Sequence, residues 1–476
     1  MTPALLSAVV ALTVLAGCGG DRSPASDPAP GSTLRSTLVD RNGDGFLAPG
    51  PGEPLIARTK LRPGRVLATF GQLTDTHVRD EESPARVPFL DRLGAPFNST
   101  FRPQEAESTQ VLEAAVRSLD RERPQAVFLT GDIVDSAQQN ELDQAIAVLL
   151  GRRVDPDSGR PGYAGVQQAS TADPFFYRPA FDAPRHPGLL AAAERSFRAT
   201  GLNAPWYPTV GNHDVLVQGE VPPTPAIERV ATGDRLVATL DPALRPPTGE
   251  RGAAAAAAQA LTSGALAHGR RVPPDPGRRH PGADSIVAQL AAAARVRPAT
   301  PGRLDYAVDV GPAMRAIVLD TVDRAGGSRG QLTAAQLAWL RGELASAGRR
   351  WIVVFAHNPL EATDGGGAAL AALDATPRVV AVVAGNRHRN TITRHGRFWL
   401  IGTSSLADWP QQARMFRLRA ASGGGAVLET WMVDQDGRGL AGIARELAYL
   451  DAQGGRPQGF AGGRLDRNVR LGVPAR

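Results

Sequence analysis

From residue 66 onward, short runs of apolar and β-branched residues alternate with stretches of helical periodicity. This alternation is typical of an α/β fold, in which helices cover a sheet. A helix is predicted over 104–120, and a second begins after Thr333, has a capping-box partner at Gln336 and ends at Gly348. The runs predicted to be strands are 65–73, 125–130, 206–210, 314–319, 351–356 and 378–384.

Two stretches interrupt this rhythm. Residues 152–188 are rich in proline, glycine and aromatic residues, and residues 215–300 combine proline clusters with a run of alanines at 253–258. Both lie between predicted strands, so we expect them to be long loop insertions at one rim of the sheet. The alanine run is compatible with a short helix and with disorder.

Composition excludes several classes of protein. The 476 residues are 42% hydrophobic and 21% charged, which is ordinary for a globular chain and excludes collagen, general disorder and a polytopic membrane protein. The net charge of +6 comes from scattered residues, of which Lys60 is the only lysine, so nucleic acid is not an expected partner. A single cysteine excludes an internal disulfide framework and a cysteine-based zinc cluster.

The N-terminal segment predicts export. Residues 4–17 form an apolar run too short to span a bilayer, and the run ends in Leu15-Ala16-Gly17-Cys18. This resembles the lipobox of bacterial lipoproteins, which implies cleavage before Cys18 and a lipid anchor on its thiol that holds the protein at the membrane. A plain secretory peptide with a chance cysteine is the alternative.

We divide the chain accordingly into a signal peptide (1–18), a tether with an N-terminal turn segment (19–63), the main domain (64–435) and a C-terminal extension (436–476). Residues 40–45 match the first half of a calcium-binding loop. The twelfth position of that loop is Pro51, where a bidentate glutamate is required, so a tight turn is favoured.

Residues that can bind a metal follow five of the six predicted strands. In an open α/β sheet, ligands bind outside the carboxyl ends of the strands, so we expect these residues to meet in one crevice. Each motif alone is a weak signal, but the ordered set is a strong one. The five motifs are Asp75-Thr76-His77, Gly131-Asp132-Ile133-Val134-Asp135, Gly211-Asn212-His213-Asp214, His357-Asn358 and Gly385-Asn386-Arg387-His388.

This ordered set resembles the calcineurin-like metallophosphoesterase superfamily, particularly exported bacterial members with long insertions between motifs. The family's motifs are Asp-x-His, Gly-Asp-x-x-Asp, Gly-Asn-His-Asp/Glu, a lone His and Gly-His-x-His. The resemblance implies a four-layer β-sandwich flanked by helices. It also implies hydrolysis of small phosphoesters with two divalent metal ions (Mn, Fe, Zn or Mg), where the nucleophile is hydroxide and no side chain is phosphorylated.

By the same resemblance, Asp132 bridges two metal ions. The first ion is expected on Asp75, His77, Asp132 and His388, and the second on Asp132, Asn212, His357 and residue 386. The sequence departs from the family at Asn386, where the pattern has histidine. An amide oxygen suits Mn²⁺ or Mg²⁺ better than Zn²⁺, so a weaker and more exchangeable second site is predicted.

The catalytic assignments also follow from the resemblance. His213 corresponds to the histidine that is not a ligand and that protonates the leaving oxygen or stabilises its charge. Asp135 resembles the carboxylate that orients such a histidine, and Asp214 of the same motif is assigned to the catalytic set. Arg387 is either a contact to a substrate phosphate or a solvated surface arginine.

Three other readings stay open at this stage. With Asn386 in place of histidine, the chain could be a degenerate, catalytically silent lipoprotein that binds a metal or a phosphorylated ligand. A nuclease of the same superfamily is a second alternative, opposed by predicted export. Gly326-Gly327-Ser328-Arg329-Gly330 matches the motif of serine hydrolases, but it does not directly follow a predicted strand. Substrate, oligomeric state and the choice between monoester and diester are not indicated by any motif.

Overall fold

The computed structural model describes residues 29–93, 97, 99–239, 250–263, 268–454 and 459–475. Within these residues, thirteen strands build two large sheets. In chain order they are β1 (Ile56–Arg58), β2 (Pro63–Leu73), β3 (Ala126–Thr130), β4 (Trp206–Thr209), β5 (Tyr306–Val310), β6 (Met314–Leu319), β7 (Trp351–Ala356), β8 (Val379–Ala384), β9 (Thr391–His395), β10 (Phe398–Gly402), β11 (Gln412–Ala421), β12 (Ala426–Asp434) and β13 (Val469–Val473).

Both sheets are mixed. The seven-stranded sheet has the order β1-β13-β12-β11-β2-β3-β4, and the six-stranded sheet has the order β5-β6-β7-β8-β10-β9. Strands β2, β3 and β4 are parallel neighbours, as are β7 and β8. The carboxyl ends that carry the sequence motifs are therefore adjacent within each sheet.

The two sheets pack face to face through an aromatic core. The ring of Phe128 in β3 stacks on that of Phe355 in β7 with a centroid separation of 3.7 Å, and Phe70 in β2 meets Phe355 edge-on at 5.8 Å. A buried hydrogen bond from Thr403 Oγ1 to Gln72 Oε1 (2.6 Å) also crosses between the sheets. This packing fixes the distance between the motif loops of one sheet and those of the other.

Helices cover the outer faces. Among the described residues they are α1 (Ser108–Arg121), α2 (Gln139–Leu149), α3 (Leu189–Ala193), α4 (Asn212–Val215), α5 (Pro225–Ala231), α6 (Glu250–Ser263), α7 (Ala283–Ala294), α8 (Ala334–Ser346), α9 (Gly366–Asp374) and α10 (Leu440–Gly454). Helix α1 packs on the seven-stranded sheet, where Leu119 faces Gly71. Leu340 of α8 and Leu370 of α9 pack on the six-stranded sheet. The predicted sandwich of sheets flanked by helices is confirmed.

The predicted helices and strands are present in the structure, with small shifts at their ends. All six predicted strands are present as β2, β3, β4, β6, β7 and β8. The helix predicted over 104–120 begins with a 3₁₀ turn at Glu105–Glu107 and continues as α1. Thr333 caps α8 as predicted, because its hydroxyl accepts from the backbone N–H of Gln336 while the Gln336 side chain accepts from the N–H of Thr333.

The two long insertions pack against each other beside the motif loops. Residues 152–188 are largely irregular, and 215–300 contribute α5, α6 and α7 together with a strand pair, Arg235–Thr239 with His268–Arg271. The alanine run at 253–258 is helical within α6. Phe176 of the first insertion joins Leu236 and Ala253 of the second in one apolar cluster. The insertions therefore form a structured lobe.

Both ends of the described chain join the main sheet. Strands β1 and β13 lie outside the predicted domain range 64–435, yet they pair with each other within the seven-stranded sheet. Ser32 and Thr33, which lie within the predicted tether, are buried, and the Thr33 hydroxyl donates to the Met432 carbonyl oxygen. Buried polar groups need such partners, so the packed structure begins before residue 64 and continues beyond 435.

Two N-terminal predictions have different outcomes. Asp40 accepts hydrogen bonds from the backbone N–H groups of Gly43, Asp44 and Gly45, which is the predicted turn. The predicted signal peptide and Cys18 lie outside the described residues. None of the helices in the described part of the chain is long and apolar enough to cross a bilayer.

Candidate metal centre

The motif residues lie on tight loops at the carboxyl ends of β2, β3, β4, β7 and β8. Ten described residues other than glycine have a positive φ, and five of them are motif residues. This left-handed region is unfavourable for residues with a Cβ atom and is maintained only where the surroundings enforce it. These five are Asp75 (50°), His77 (43°), Asp132 (49°), Asn386 (65°) and His388 (53°).

Glycine is required where two motif loops touch. Gly131 has a φ of +83°, and a Cβ placed on it would lie 2.6 Å from both the backbone nitrogen of Gly211 and Nδ1 of His357. A Cβ on Gly211 would lie 2.2 Å from Oδ1 of Asp132. The glycines therefore allow the loops after β3 and β4 to approach closely enough to bring Asp132 and Asn212 together.

Three histidines are anchored in the same way. Nδ1 of His77 lies 3.0 Å from Oδ1 of Asp135, Nδ1 of His357 lies 2.8 Å from the Thr130 carbonyl oxygen, and Nδ1 of His388 lies 2.5 Å from Oδ2 of Asp408. Each contact fixes the ring through Nδ1 and leaves Nε2 for the interior of the site. Histidine ligands of metals are oriented by partners of this kind.

The Nε2 atoms converge on carboxylates. Nε2 of His77 lies 3.3 Å from Nε2 of His388 and 3.7 Å from Oδ2 of Asp132, while Nε2 of His388 lies 3.4 Å from Oδ1 of Asp75. One ligand atom from each of these four residues lies within 4.8 Å of the others. The four are the residues predicted for the first metal ion, and they arise from loops in both sheets.

The residues predicted for the second ion lie beside this group. Nε2 of His357 is 3.0 Å from Oδ1 of Asn212 and 3.2 Å from Oδ2 of Asp132, so Asp132 lies between the two groups. Asn386 lines the same cavity, its backbone N–H donates to Asp75, and its side-chain nitrogen lies 3.4 Å from the Ser328 carbonyl oxygen. All seven predicted ligands are thus brought to one place.

His213 and Asp135 contact each other differently from the prediction. Nδ1 of His213 lies 2.6 Å from the backbone carbonyl oxygen of Asp135, whereas the carboxylate is 3.7 Å away. The carboxylate instead contacts His77 and forms an ion pair with Arg79 at 2.5 Å. Asp135 therefore orients His213 through its main chain and His77 through its side chain.

Asp214 holds the motif loops together. Its carboxylate accepts from the backbone N–H groups of Ile133 (2.8 Å), Val134 (2.9 Å) and Gly211 (2.7 Å). It is buried and does not line the cavity. Asp214 therefore ties the loop after β3 to the loop after β4, and its place in the catalytic set stays a prediction.

Two residues of the site were missed by sequence reasoning. The Asp408 carboxylate holds His388 and pairs with Arg102, whose guanidinium nitrogens lie 2.6 and 3.1 Å from it. Both residues line the cavity. Neither belongs to a motif, and Arg102 is 306 residues distant from Asp408 along the chain. Nothing in the sequence indicates this pairing, which arises from tertiary packing alone.

The structure also shows where Arg387 and Ser328 lie. Arg387 is exposed and lies 3.3 Å from Oε1 of Glu361, and it contributes to the cavity rim. Ser328 lines the cavity, but eight residues separate it from the end of β6 at Leu319. A nucleophilic serine of the Gly-x-Ser-x-Gly type requires a sharp turn directly after a strand, so this geometry does not support a serine hydrolase.

The electrostatics of the centre favour bound positive charge. Burial disfavours a charged His357, but the Asp132 carboxylate outweighs it and raises the pKa of His357 to about 10. Burial likewise opposes the charge on His388, yet Asp75 and Asp408 raise its pKa to about 9. Burial and the neighbouring His213 lower the pKa of His77 to about 4. The carboxylates thus retain two protonated imidazoles when no other cation is present.

The chain is similar to several solved structures. One is a dimetal phosphatase from Danio rerio (15% identity, 78% of this chain and 100% of the other, TM-score 0.39). The chain is also similar to a proposed 5'-nucleotidase from Staphylococcus aureus in complex with alpha-ketoglutarate (12%, 79% and 58%, TM-score 0.33). A third similar structure is a purple acid phosphatase from yellow lupin (Lupinus luteus) seeds (12%, 78% and 52%, TM-score 0.33).

The chain spans little more than half of the second and third of these structures. No protein-family model matches it. No curated protein matches it either.

Proposed function

We propose that the protein is a metal-dependent hydrolase of phosphoester bonds that holds two divalent ions, and that it belongs to the calcineurin-like metallophosphoesterase superfamily. One observation carries this proposal: ligand atoms of Asp75, His77, Asp132 and His388 lie within 4.8 Å of one another. They come from three separate loops that follow strands of both sheets. A cluster of buried, mutually close carboxylates and imidazoles is costly unless it binds a cation.

The donor set fits divalent metal ions. Two imidazoles and two carboxylates in the first group suit Mn²⁺, Fe²⁺ or Zn²⁺. The second group offers Asp132, the amide oxygen of Asn212 and the imidazole of His357, with Asn386 nearby, and a larger share of oxygen donors favours harder ions. The Asp132 carboxylate lies near a histidine of each group, 3.7 Å from Nε2 of His77 and 3.2 Å from Nε2 of His357, which supports its role as the shared ligand.

The remaining catalytic roles belong to individual side chains around the metal centre. When bound, two ions lower the pKa of a water molecule and orient the phosphoryl oxygens. Nδ1 of His213 contacts the Asp135 carbonyl oxygen. Nε2 is therefore the ring nitrogen from which His213 would donate a proton to the leaving oxygen. A Cβ on Gly219 would lie 2.5 Å from this Nε2, so glycine at 219 keeps it accessible. Arg102 lines the cavity wall as the ion-pair partner of Asp408.

We also propose the predicted location, export with a lipid anchor on Cys18. The sequence Leu15-Ala16-Gly17-Cys18 supports it. Labelling of the full chain with a radioactive fatty acid tests it, with Cys18→Ser as the control variant. Absence of label from the wild type would exclude the anchor.

The enzymatic proposal is tested with p-nitrophenyl phosphate and its bis ester in the presence of Mn²⁺. We expect hydrolysis by the wild type, loss of hydrolysis on addition of a chelator, and loss in Asp132→Asn, because the shared ligand is removed. Asp284→Asn, at an exposed position of α7, is the matched control and should keep wild-type rates. Equal rates for wild type and Asp132→Asn would exclude this mechanism and favour a silent binder.

His213→Ala separates the roles of ligand and proton donor. We expect a lower turnover with unchanged metal content, because His213 contacts the main chain of Asp135 and is outside both ligand groups. Loss of metal from this variant would show instead that His213 is a ligand. Metal content is measured on the dialysed protein by elemental analysis.

A further inference from the structure

The cavity at the metal centre has two chemically different ends. It has a volume of about 310 Å³, which is at the lower end of the range for small-molecule sites. One end carries the polar side chains of the centre, among them Asp132, His213 and His388. The other end is lined mainly by aliphatic side chains together with Phe97, and we call it the apolar chamber; Glu220 is a further polar residue of the cavity wall. The two ends are continuous.

Helix α6 supplies one wall of the apolar chamber. Ala254, Ala257, Ala258 and Leu261 line it, and their spacing of three, one and three residues places them on one face of the helix. Ala257 and Ala258 are half-buried, so their methyl groups are accessible from the cavity. Ala255, on the same helix, is exposed to solvent on another face.

The opposite walls are aliphatic as well. Ala85 and Val87 come from the segment after the first motif, Val217 from the loop after α4, and Ile227 from α5. Val87 and Leu261 belong to one apolar cluster of the insertion lobe, while Val217 and Ile227 belong to another. The chamber therefore lies between two apolar clusters, where the small alanines of α6 leave space that larger side chains would fill.

From these contacts we infer that the substrate is a phosphoester of an aliphatic alcohol, whose hydrocarbon chain occupies the apolar chamber while its phosphate lies at the metal centre. This inference rests on the proposed function. A sugar or another polyhydroxylated alcohol would lose hydrogen bonds to water against such walls, whereas an alkyl chain gains from leaving water. The insertions that distinguish this chain thus select the alcohol.

The test measures binding separately from hydrolysis. Ethylphosphonate and octylphosphonate, which carry no cleavable ester bond, are titrated calorimetrically into the full chain loaded with Mn²⁺. Complete burial would strengthen binding about fourfold per methylene. Octylphosphonate has six more methylenes than ethylphosphonate, and for their partial burial we expect it to bind on the order of 100-fold more tightly than ethylphosphonate. Equal affinities would overturn the inference, whatever the outcome for hydrolysis.

Variants on α6 locate the effect. Ala258→Phe fills the chamber and should bring the ratio of the octylphosphonate affinity to the ethylphosphonate affinity close to one. Ala255→Phe is the matched control and should behave as wild type, and Ala257→Phe repeats the test if Ala258→Phe does not fold. If Ala255→Phe were as damaging as the chamber variants, the inference would fail. Tight binding of octylphosphonate without hydrolysis of any ester would refute the proposed function, but it would support the role of the apolar chamber in binding an alkyl chain.

Discussion

Replacement of Asp408 by asparagine tests how the first metal group is held. Asp408 is not among the seven residues predicted to be metal ligands. Its carboxylate lies 2.5 Å from Nδ1 of His388 and accepts two hydrogen bonds from Arg102. Asparagine has nearly the same shape, so Asp408→Asn removes charge without opening a large cavity. We expect metal affinity to fall because His388 is less firmly oriented and its ring is a weaker ligand.

The expected magnitudes follow from these contacts. Loss of a partner that orients a histidine ligand typically lowers metal affinity by about 10- to 100-fold. The side chains of Asp408 and Arg102 are only 5% and 3% exposed, so the variant also leaves a guanidinium buried without its carboxylate. Removing one member of a buried ion pair costs about 3–5 kcal/mol of stability, and an asparagine that retains one hydrogen bond should place the loss near the lower value.

The two effects are measured separately. Calorimetric titration of metal-free protein with Mn²⁺ gives the affinity, and denaturant unfolding without metal gives the stability. Asp436→Asn is a matched control, since this carboxylate pairs with Arg117 in the helical layer and contacts no histidine of the site. A folded Asp408→Asn protein with wild-type affinity for Mn²⁺ would refute the orienting role, even if its stability were reduced.

Three further predictions concern other parts of the molecule. Protein loaded with Mn²⁺ and then dialysed should retain one tightly held ion, and Asn386→His should raise this number toward two in elemental analysis; two retained ions in the wild type would contradict a weak second site. Burial and the neighbouring Glu105 raise the pKa of Glu107 from 4.5 to about 8, so the folded state binds the additional proton and stability is lost as the pH rises from 4.5 to 8. This loss of unfolding free energy amounts to about 4 kcal/mol between pH 5 and 9. We expect Glu107→Gln to abolish the loss, and identical pH profiles of stability for wild type and variant would disprove the prediction. Thr333→Ala should cost about 1 kcal/mol in denaturant unfolding because the cap of α8 is lost, and Thr333→Ser should restore it.

Much of the fold could be predicted from local patterns. Strands buried on both faces appear as continuous apolar runs, and this explains why β7 and β8 are evident as WIVVFA and VVAVVA. The capping box of α8 is equally local. The strands β11 and β12 carry arginine, glutamate and threonine among their apolar residues, so no continuous apolar run marks them. The pairing of β11 with β2 joins chain segments more than 300 residues apart.

The sequence by itself predicted which motif residues meet at the centre, because the strand-end rule and the family resemblance need only the order of strands and motifs. It did not determine how those residues are oriented. The contact of the Asp135 carboxylate with His77, the turn of Asp214 toward backbone N–H groups and the support of His388 by Asp408 and Arg102 were decided by tertiary structure. The same holds for the apolar chamber, since the alanine run is compatible with a helix but does not show that one forms or which of its faces meets a cavity. Orientation and enclosure depend on contacts between distant segments, and these form only when both sheets and the insertion lobe are packed together.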